Sequence, residues 1–430
     1  MRSLIVSDLH LGGLNGTDLL RWPEVRAKLF AALTGVDRLV LLGDVLELRH
    51  GPARDALAAA SVFFTELGRE LGPDRELVLV AGNHDHALVE PWLARRGEVA
   101  EPEPLGLEQL LDPAEASRAY GRIAQWAQPA RTLVAYPGLW LREDVYATHG
   151  HYLDSHLTIP TLERLSVGAM TRLLGADPAA FARVDDYEDV GAPMFAWRDV
   201  VARETRTGSI LNGLATVGAW RALGGAGGDG RPGAGANGGV QSGDGTSTGA
   251  AGDAAPAGSD ASQDGAGANG DRGAQGPVRR LRAGLRRRAL VAAFPLAVAA
   301  LNRAGMGPLR AEISGSELRR AGLLAMGEVA ARLGLGHAHV IFGHTHRPGP
   351  LPGDDPAEWR GRGGAQLVNT GSWTYSAVFL RATAAESPYW PGAAVLVDES
   401  GPPQVVRLLG DFSREQLRRL KERSLESDLG

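Results

Sequence analysis

The stretch that decides the fold of this chain is HVIFGHTHRP, from His339 to Pro348. Its β-branched and aromatic run, Val340 to Phe342, predicts a buried strand. Gly343 permits a tight turn where the chain leaves that strand, and His344 and His346 then follow two positions apart. Such a pair of imidazoles is suited to a metal ion, although taken alone two surface histidines in a loop would be the simpler interpretation.

The same arrangement recurs at four earlier apolar runs, at 4–6, 38–42, 77–80 and 145–147, each of which we predict to be a strand. Open α/β sheets bind their ligands at the carboxyl ends of strands. One histidine in such a place would usually be a structural residue, but unrelated structural histidines would not recur at the same position. We therefore interpret the strand ends as parts of one site. The side chains there are Asp8 and His10, then Asp44, then Asn83, His84, Asp85 and His86, then His149 and His151.

These side chains form a donor set that fits two metal ions if one carboxylate bridges them. Asp44 is the natural bridge, because it stands alone after the central strand. Two divalent ions about 3.5 to 4 Å apart clamp a phosphate and lower the pKa of a shared water. In this hypothesis His84 protonates the leaving alkoxide and Asp85 orients His84. The predicted ligands are Asp8, His10, Asp44, Asn83, His149, His344 and His346.

The composition restricts the chemistry further. The chain has 430 residues, a net charge of -5 and no cysteine. The lack of cysteine excludes thiolate ligands and cysteine nucleophiles, and it fits a reducing cytoplasm. Nitrogen and oxygen donors suit Mn, Fe or Zn, and we favour Mn. The net charge gives no argument for nucleic acid as a partner, and the first apolar run is too short for a signal peptide.

The candidate site is split by a long insertion. Residues 1–151 and 337–430 carry the strand ends, so we predict that together they form one catalytic domain. We predict a helical insertion or cap over 152–223 and 278–336. Between its two parts, 224–277 is rich in Gly, Ala, Asp and Ser, and it lacks the apolar surface needed to offset chain entropy. We predict that this linker is disordered.

Two charged segments accompany the insertion. The arginines at the start of 279–301 lead into an apolar run that is too short to span a bilayer. This segment could lie on an anionic membrane surface, or form a helix packed on the body of the protein. The acidic run at 185–189 favours a solvated loop, with a second cation site as the alternative.

Other local patterns predict elements outside the site. Leu107 to Gln128 is expected to be mostly helical. The runs Ala394–Val397 and Gln404–Leu409 predict a terminal hairpin. Ser413 and Gln416 have the spacing of a capping box, which predicts a closing helix.

Five motifs, DLH, GD, GNHD, HGH and GHTH, occur in this order along the chain. Together they resemble the calcineurin-like metallophosphoesterase superfamily, over both flanks of the chain but not over 152–336. The resemblance implies an α/β fold, a four-layer α-β-β-α sandwich of two mixed β-sheets. It also implies His84 as the acid at the phosphate. The implied ligand sets are Asp8, His10, Asp44 and His346 for one ion, and Asp44, Asn83, His149 and His344 for the other.

Within that superfamily, SDLHLGG, the helical insertion and GHTHRP resemble the UDP-2,3-diacylglucosamine pyrophosphatase branch. In that branch the insertion forms a lid over acyl chains. The branch typically has Arg where this chain has His84, which puts the lipid-nucleotide substrate in doubt but leaves phosphoester hydrolysis intact.

The sequence thus predicts a dinuclear metal-dependent hydrolase of phosphoester or pyrophosphate bonds, with a phosphoester-containing small molecule or a lipid-nucleotide as substrate. We expect activity to fall below about pH 6, because histidine ligands must be neutral. The alternatives are a pyrophosphatase of UDP-diacylglucosamine type at the membrane surface, a nuclease, and a non-catalytic scaffold associated with a membrane. We expect a cytoplasmic location, with peripheral contact to the inner membrane face as an extension, and we do not expect nucleic acid as a partner.

Overall fold

A computed structural model describes residues 1–14, 16–204, 299–303, 309, 315–377 and 379–427. The predicted disordered linker at 224–277 lies outside the described residues, as do the arginines of the basic segment and 205–223 of the predicted helical insertion. None of the helices in the described ranges is both long and apolar enough to cross a membrane.

The described residues form a mixed α/β structure around one ten-stranded sheet. The strands are β1 Ser3–Val6, β2 Arg38–Leu42, β3 Glu76–Val80, β4 Glu108–Leu111, β5 Arg131–Arg142, β6 Val145–Thr148, β7 His339–Phe342, β8 Gln366–Asn369, β9 Ala393–Val397 and β10 Gln404–Arg407. The helices are α1 Pro23–Ala31, α2 Ala53–Leu71, α3 Glu90–Gly97, α4 Pro113–Ala116, α5 Arg118–Trp126, α6 Leu162–Leu174, α7 Val184–Glu204, α8 Gly315–Arg332 and α9 Arg414–Ser427. Short 3₁₀ turns lie at Leu19–Arg21, His86–Leu88, His151–Ser155 and Pro178–Ala180.

The sheet consists of two parallel blocks joined by an antiparallel pair. Its order is β10-β9-β1-β2-β3-β5-β6-β7-β8, and β4 pairs with β5 outside this path. Strands β1, β2, β3 and β5 run parallel, and so do β6, β7 and β8, whereas β5 and β6 are antiparallel. All ten strands belong to one hydrogen-bonded sheet, so the two separate sheets that the resemblance implies are not confirmed.

Strand β5 brings the carboxyl ends of the two blocks together. Its first residues, 131–135, pair with β3, and 138–142 pair with β6. A bulge opposite Glu108 falls where the partner changes, and a side chain at Gly138 would meet the carbonyl oxygen of Ala147 at 2.3 Å. In a flat sheet β2 and β6 would end at opposite edges, yet His149 after β6 contacts the carbonyl oxygen of Leu42 at the end of β2. The sheet therefore bends at this strand, as happens where a strand turns a corner between packed layers.

Two of the three buried apolar clusters lie between the sheet and helices. One contains Leu39 and Leu77 of the first block together with Phe63 of α2. The other joins Val340 of the second block to Met326 of α8. The third cluster contains residues of strands from both blocks. Strands β1, β2, β3, β6 and β7 thus bury both of their faces, which explains their nearly continuous apolar runs in the sequence.

The insertion leaves and re-enters the sheet at neighbouring positions. Strands β6 and β7 flank it, and they pair in parallel with Val145 opposite His339. Helices α6, α7 and α8 belong to the insertion, and Val167, Tyr187 and Met326 of these helices share one buried cluster. The ends of β6 and β7, which are followed by candidate site residues, are therefore adjacent although about 190 residues separate them in sequence.

Several local predictions are confirmed and one is wrong. The terminal hairpin is present as β9 and β10, and the capping box of the closing helix is formed, because Ser413 and Gln416 exchange hydrogen bonds of 2.7 and 3.1 Å. The segment 107–128 is mostly helical as expected, because it contains α4 and α5, but it begins with strand β4, and neither β4 nor its partner β5 was predicted. The acidic run is not a solvated loop but lies in the first turns of α7, where Glu188 is buried.

Glu188 is buried because donors from distant elements converge on it. The hydroxyls of Tyr136 and Tyr152 donate to its Oε1 at 2.6 and 2.5 Å, and His86 Nε2 lies 3.3 Å from Oε2. A buried carboxylate is tolerated when its oxygens are satisfied in this way. The contact fixes α7 of the insertion to the body of the protein.

Candidate metal centre

Five of the predicted ligands have a backbone conformation that L-residues rarely adopt. Within the described ranges, the non-glycine residues with positive φ are Asp8 at 55°, His10 at 48°, Asp44 at 51°, His344 at 64° and His346 at 60°. A left-handed conformation costs a non-glycine residue of order 1–3 kcal/mol and persists where the surrounding structure enforces it. The strain is thus confined to the strand ends that the sequence singles out.

Asp44 lies at the centre of the group. His149 Nε2 and His10 Nε2 lie 3.4 and 3.8 Å from Asp44 Oδ2, and the backbone N–H of His84 donates to Oδ1 at 2.7 Å. Burial by itself would raise the pKa of Asp44, but the nearby imidazoles, His149 foremost, hold the pKa well below its usual range. Asp44 is therefore an anion that several nitrogens approach at once.

A second group of side chains joins the loop after β1 to the loop after β7. His346 Nε2 lies 3.1 Å from Asp8 Oδ1, and the backbone N–H of His344 donates to Asp8 Oδ2 at 3.1 Å. The Asp8 side chain is fully buried, whereas that of His346 is 38% exposed. This side of the site therefore opens towards solvent at His346.

Asn83 connects the remaining two histidines. Its side-chain amide lies 3.1 Å from both His149 Nε2 and His344 Nδ1. Burial by itself lowers the pKa of His149, but the charges of Asp44 and Asp8 together with hydrogen bonds to Asp44 and to the Leu42 carbonyl raise the pKa to about 10. Protons and metal ions would therefore compete for this imidazole.

The structure brings all seven predicted ligands together at the carboxyl ends of β1, β2, β3, β6 and β7. Potential ligand atoms lie within 4.8 Å of one another in three groups. These groups are Asp8 with His10 and His346, His10 with Asp44 and His84, and Asp44 with His149 and His344. Two of the groups share Asp44, as a bridging ligand would require.

The donor set fits divalent ions of intermediate softness. Imidazole nitrogens and carboxylate oxygens are ligands of Mn, Fe and Zn. The buried Nε2 of His10 has no hydrogen-bond partner in the described part of the chain, although such a nitrogen is costly to bury unpaired. An ion shared by His10, Asp8 and Asp44 would satisfy it.

In two of the candidate ligand histidines, Nδ1 lies next to a hydrogen-bond acceptor. His10 Nδ1 lies 3.1 Å from Glu47 Oε2, and His149 Nδ1 lies 3.0 Å from the carbonyl oxygen of Leu42. An acceptor at Nδ1 fixes the proton there and leaves the lone pair at Nε2. In both residues Nε2 is the atom that faces Asp44.

His84 is held by Glu47, a residue that the sequence analysis missed. Its Nδ1 lies 3.0 and 2.9 Å from the two oxygens of Glu47, whose side chain is buried. Burial, followed by the charge of Arg49, lowers the pKa of His84 to about 4. The only sequence signal for Glu47 is its position three residues after Asp44, on the loop that leaves β2.

Asp85 does not have the role that the sequence analysis gave it. Its carboxylate is fully buried and accepts main-chain N–H groups of Gly82 and Val45 at 2.7 Å each, and of Leu46 at 3.2 Å. Burial, followed by the charge of Asp44, raises the pKa of Asp85 to about 6. Asp85 therefore ties the loop after β3 to the loop after β2, and Glu47 is the acid that orients His84.

His151, the second histidine of HGH, lies outside the three groups. Its ring packs against Phe195 of α7 and Tyr152, with centroids 5.4 and 4.7 Å away. Its side chain is buried among these rings and those of the site. His151 thus lies between the candidate metal centre and the insertion.

In comparisons with known proteins, neither a family model nor a curated protein matches this chain.

Proposed function

We propose that this chain is a dinuclear metal-dependent hydrolase that cleaves a phosphoester or pyrophosphate bond. The observation that carries the proposal is the convergence of seven nitrogen and oxygen donors from the carboxyl ends of β1, β2, β3, β6 and β7, five of them held in left-handed backbone conformations. Structural hydrogen bonding alone gives no reason to maintain that strain at five residues on three strand ends.

In this proposal one ion is held by Asp8, His10, Asp44 and His346, and the other by Asp44, Asn83, His149 and His344. Two divalent ions, with Mn favoured, supply a clamp for the phosphate oxygens and a water that is ionised near neutral pH. Asp44 belongs to both sets, and its low pKa keeps it ionised.

His84 is the proposed proton donor to the leaving oxygen. Glu47 accepts from Nδ1, so Nε2 is the nitrogen that remains for the substrate. The low pKa makes His84 neutral in the free protein at pH 7. We expect the negative charge of a bound phosphate to raise that pKa, so that His84 acts as an acid in the complex with substrate.

The fold that we propose is the four-layer α-β-β-α sandwich. Ile5 and Val40 of the first block share a buried cluster with Ile341 and Val368 of the second. These side chains alternate with those that face the helices. The cluster supports two inner β layers that pack against each other beyond the bend in β5.

We infer the kind of phosphoester substrate from the position of the insertion beside the site. Helices α7 and α8 lie beside the site, since Phe195 packs on His151 and Gly322 faces Thr345, and this placement favours a substrate with a part beyond the scissile phosphate, such as a lipid-nucleotide. The lack of cysteine leads us to propose a cytoplasmic location. Contact of 279–301 with the inner membrane face would be an addition to that location.

Hydrolysis of bis-p-nitrophenyl phosphate by the full chain tests the proposal. We expect release of p-nitrophenol with Mn²⁺, loss of that activity in chelator, and recovery when Mn²⁺ is restored. Asp44→Asn should be inactive under the same conditions. Activity that survives complete chelation, or that is equal in Asp44→Asn, would contradict it.

A further inference from the structure

Asp154 is a buried acid that the proposed mechanism does not use. It lies in the 3₁₀ turn His151–Ser155, which directly follows the candidate ligand His149. The residue is 2% exposed, and its Oδ2 lies 3.0 Å from His344 Nε2. A carboxylate in such a place needs a partner to offset the loss of water, and an imidazole provides one.

The other nitrogen of the same imidazole faces the candidate metal centre. His344 Nδ1 lies 3.1 Å from the amide of Asn83, and His344 groups with Asp44 and His149 as a potential ligand. A neutral imidazole has one N–H and one lone pair. When Nε2–H donates to Asp154, the lone pair is therefore at Nδ1.

We propose that Asp154 is a positioning residue that fixes the tautomer and ring orientation of His344, and thereby the affinity of the ion shared by Asp44, Asn83 and His149. This inference rests on the proposed function for the presence of that ion. A carboxylate behind a metal-bound histidine typically contributes about 10- to 100-fold in metal affinity.

The position of Asp154 also couples His344 to the insertion. Tyr152, in the same turn, stacks on Tyr187 of α7 with centroids 4.8 Å apart and an interplanar angle of 17°. Arg164 of α6 is buried, and the charge of Asp154 opposes the effect of burial, which lowers the pKa of that guanidinium. Helices of the insertion thus contact the turn that carries Asp154, so we expect a displacement of the insertion to change the support of His344.

The test compares Asp154→Ala and Asp154→Asn with the wild type. In each case the metal-free full chain is titrated with Mn²⁺ and the heat of binding is measured by calorimetry. We expect two binding events in the wild type. In Asp154→Ala the affinity for the ion at His149 and His344 should weaken about 10- to 100-fold. The affinity for the ion at Asp8, His10 and His346 should be unchanged. Asp154→Asn should weaken the first of these affinities less, because the amide oxygen can still accept from Nε2–H.

A matched control is Asp177→Asn, which makes the same chemical change elsewhere in the insertion. Asp177 is exposed, and among the residues that the structure describes its side chain accepts one hydrogen bond, from the N–H of Ala179 at 2.9 Å. We expect wild-type affinity at both events. If Asp154→Ala does not fold, Asp154→Asn decides the question.

A second readout needs no metal. Nitrogen-15 spectra of the histidine rings, recorded on metal-free protein at a pH where His344 is neutral, should show a single Nε2–H tautomer in the wild type and a mixture in Asp154→Ala. Unchanged tautomers together with affinities within about threefold of the wild type would overturn the role of Asp154. A wild type that binds no ion but shows the tautomer change would instead refute the proposed function and keep Asp154 as the residue that orients His344.

Discussion

A buried amide, that of Asn369 at the end of β8, makes three hydrogen bonds at the segment from Gly343 to His346 and the loop beside it. Its Nδ2 donates to the carbonyl oxygen of Gly343 at 2.8 Å and to Thr345 Oγ1 at 3.0 Å, and its Oδ1 accepts the N–H of Gly371 at 2.8 Å. Asn369 is fully buried. We predict that Asn369→Ala loosens the turn that carries the two candidate ligands of β7.

The magnitude follows from the three hydrogen bonds that are lost. Two of the groups left behind, the Gly343 carbonyl and the Gly371 N–H, are main-chain groups in a buried environment, and each costs about 1–3 kcal/mol when unsatisfied. Relaxation of the left-handed His344 and His346 would return about 1 kcal/mol or more. We therefore expect the free energy of unfolding to fall by about 2–4 kcal/mol, and the affinity for Mn²⁺ to fall by at least about tenfold.

The assay is denaturation by guanidinium chloride in the presence of chelator, so that metal binding does not contribute to the stability. Mn²⁺ affinity is then measured on the folded variant. Gln366→Ala is the matched control, because Gln366 is on the same strand and, within the described part of the chain, its amide makes one hydrogen bond, to the Gly364 carbonyl at 3.1 Å. That control should change the stability by less than about 0.5 kcal/mol. An Asn369→Ala protein with wild-type stability and affinity would refute the reasoning.

Three further predictions concern the site and the insertion. Asp44→Asn removes the shared carboxylate, so Mn²⁺ affinity should fall by more than about 100-fold. This loss exceeds the usual effect of a residue that only supports a ligand. Retention of both ions in elemental analysis would exclude Asp44 as a bridge. His84→Ala should keep its metal and lose about 10²- to 10⁴-fold in kcat, and loss of metal would mean that His84 is a ligand. Burial, followed by the charge of Arg332, lowers the pKa of His156 to about 4, below its value in the unfolded chain. The folded state then binds fewer protons than the unfolded state, so stability should fall as the pH drops from about 6.5 to about 4, by at most about 1.4 kcal/mol per pH unit. Urea denaturation at several pH values should show a shallower dependence in His156→Gln, and parallel curves for the two proteins would contradict the assignment.

The strand ends could be predicted because the physical causes of their pattern are local. Runs such as Arg38–Leu42 are buried on both faces, and the structure has that strand with the predicted bounds. Strand β5 could not be predicted in the same way. It contains Pro137 and Gly138 at the point where it changes partner, and both residues indicate a break in a strand unless the distant partners are known.

The residues that support the site were missed for a related reason. Glu47 and Asp154 are single acids in segments without a motif, Glu188 belongs to an acidic run that was expected to be a solvated loop, and charged residues are usually exposed. Their burial depends on imidazoles and hydroxyls that come from other parts of the chain, such as His344 for Asp154. Sequence spacing identifies groups that share a strand end, but not the partners that the bent sheet brings to them.

Electron paramagnetic resonance of the full chain, titrated with Mn²⁺ and combined with elemental analysis, tests the central claim most directly. Two ions that share Asp44 should give two Mn per chain and the spectrum of an exchange-coupled pair, and Asp44→Asn should lose the coupled signal. A stoichiometry of one or none, or two ions without coupling in the wild type, would contradict a dinuclear centre at these strand ends.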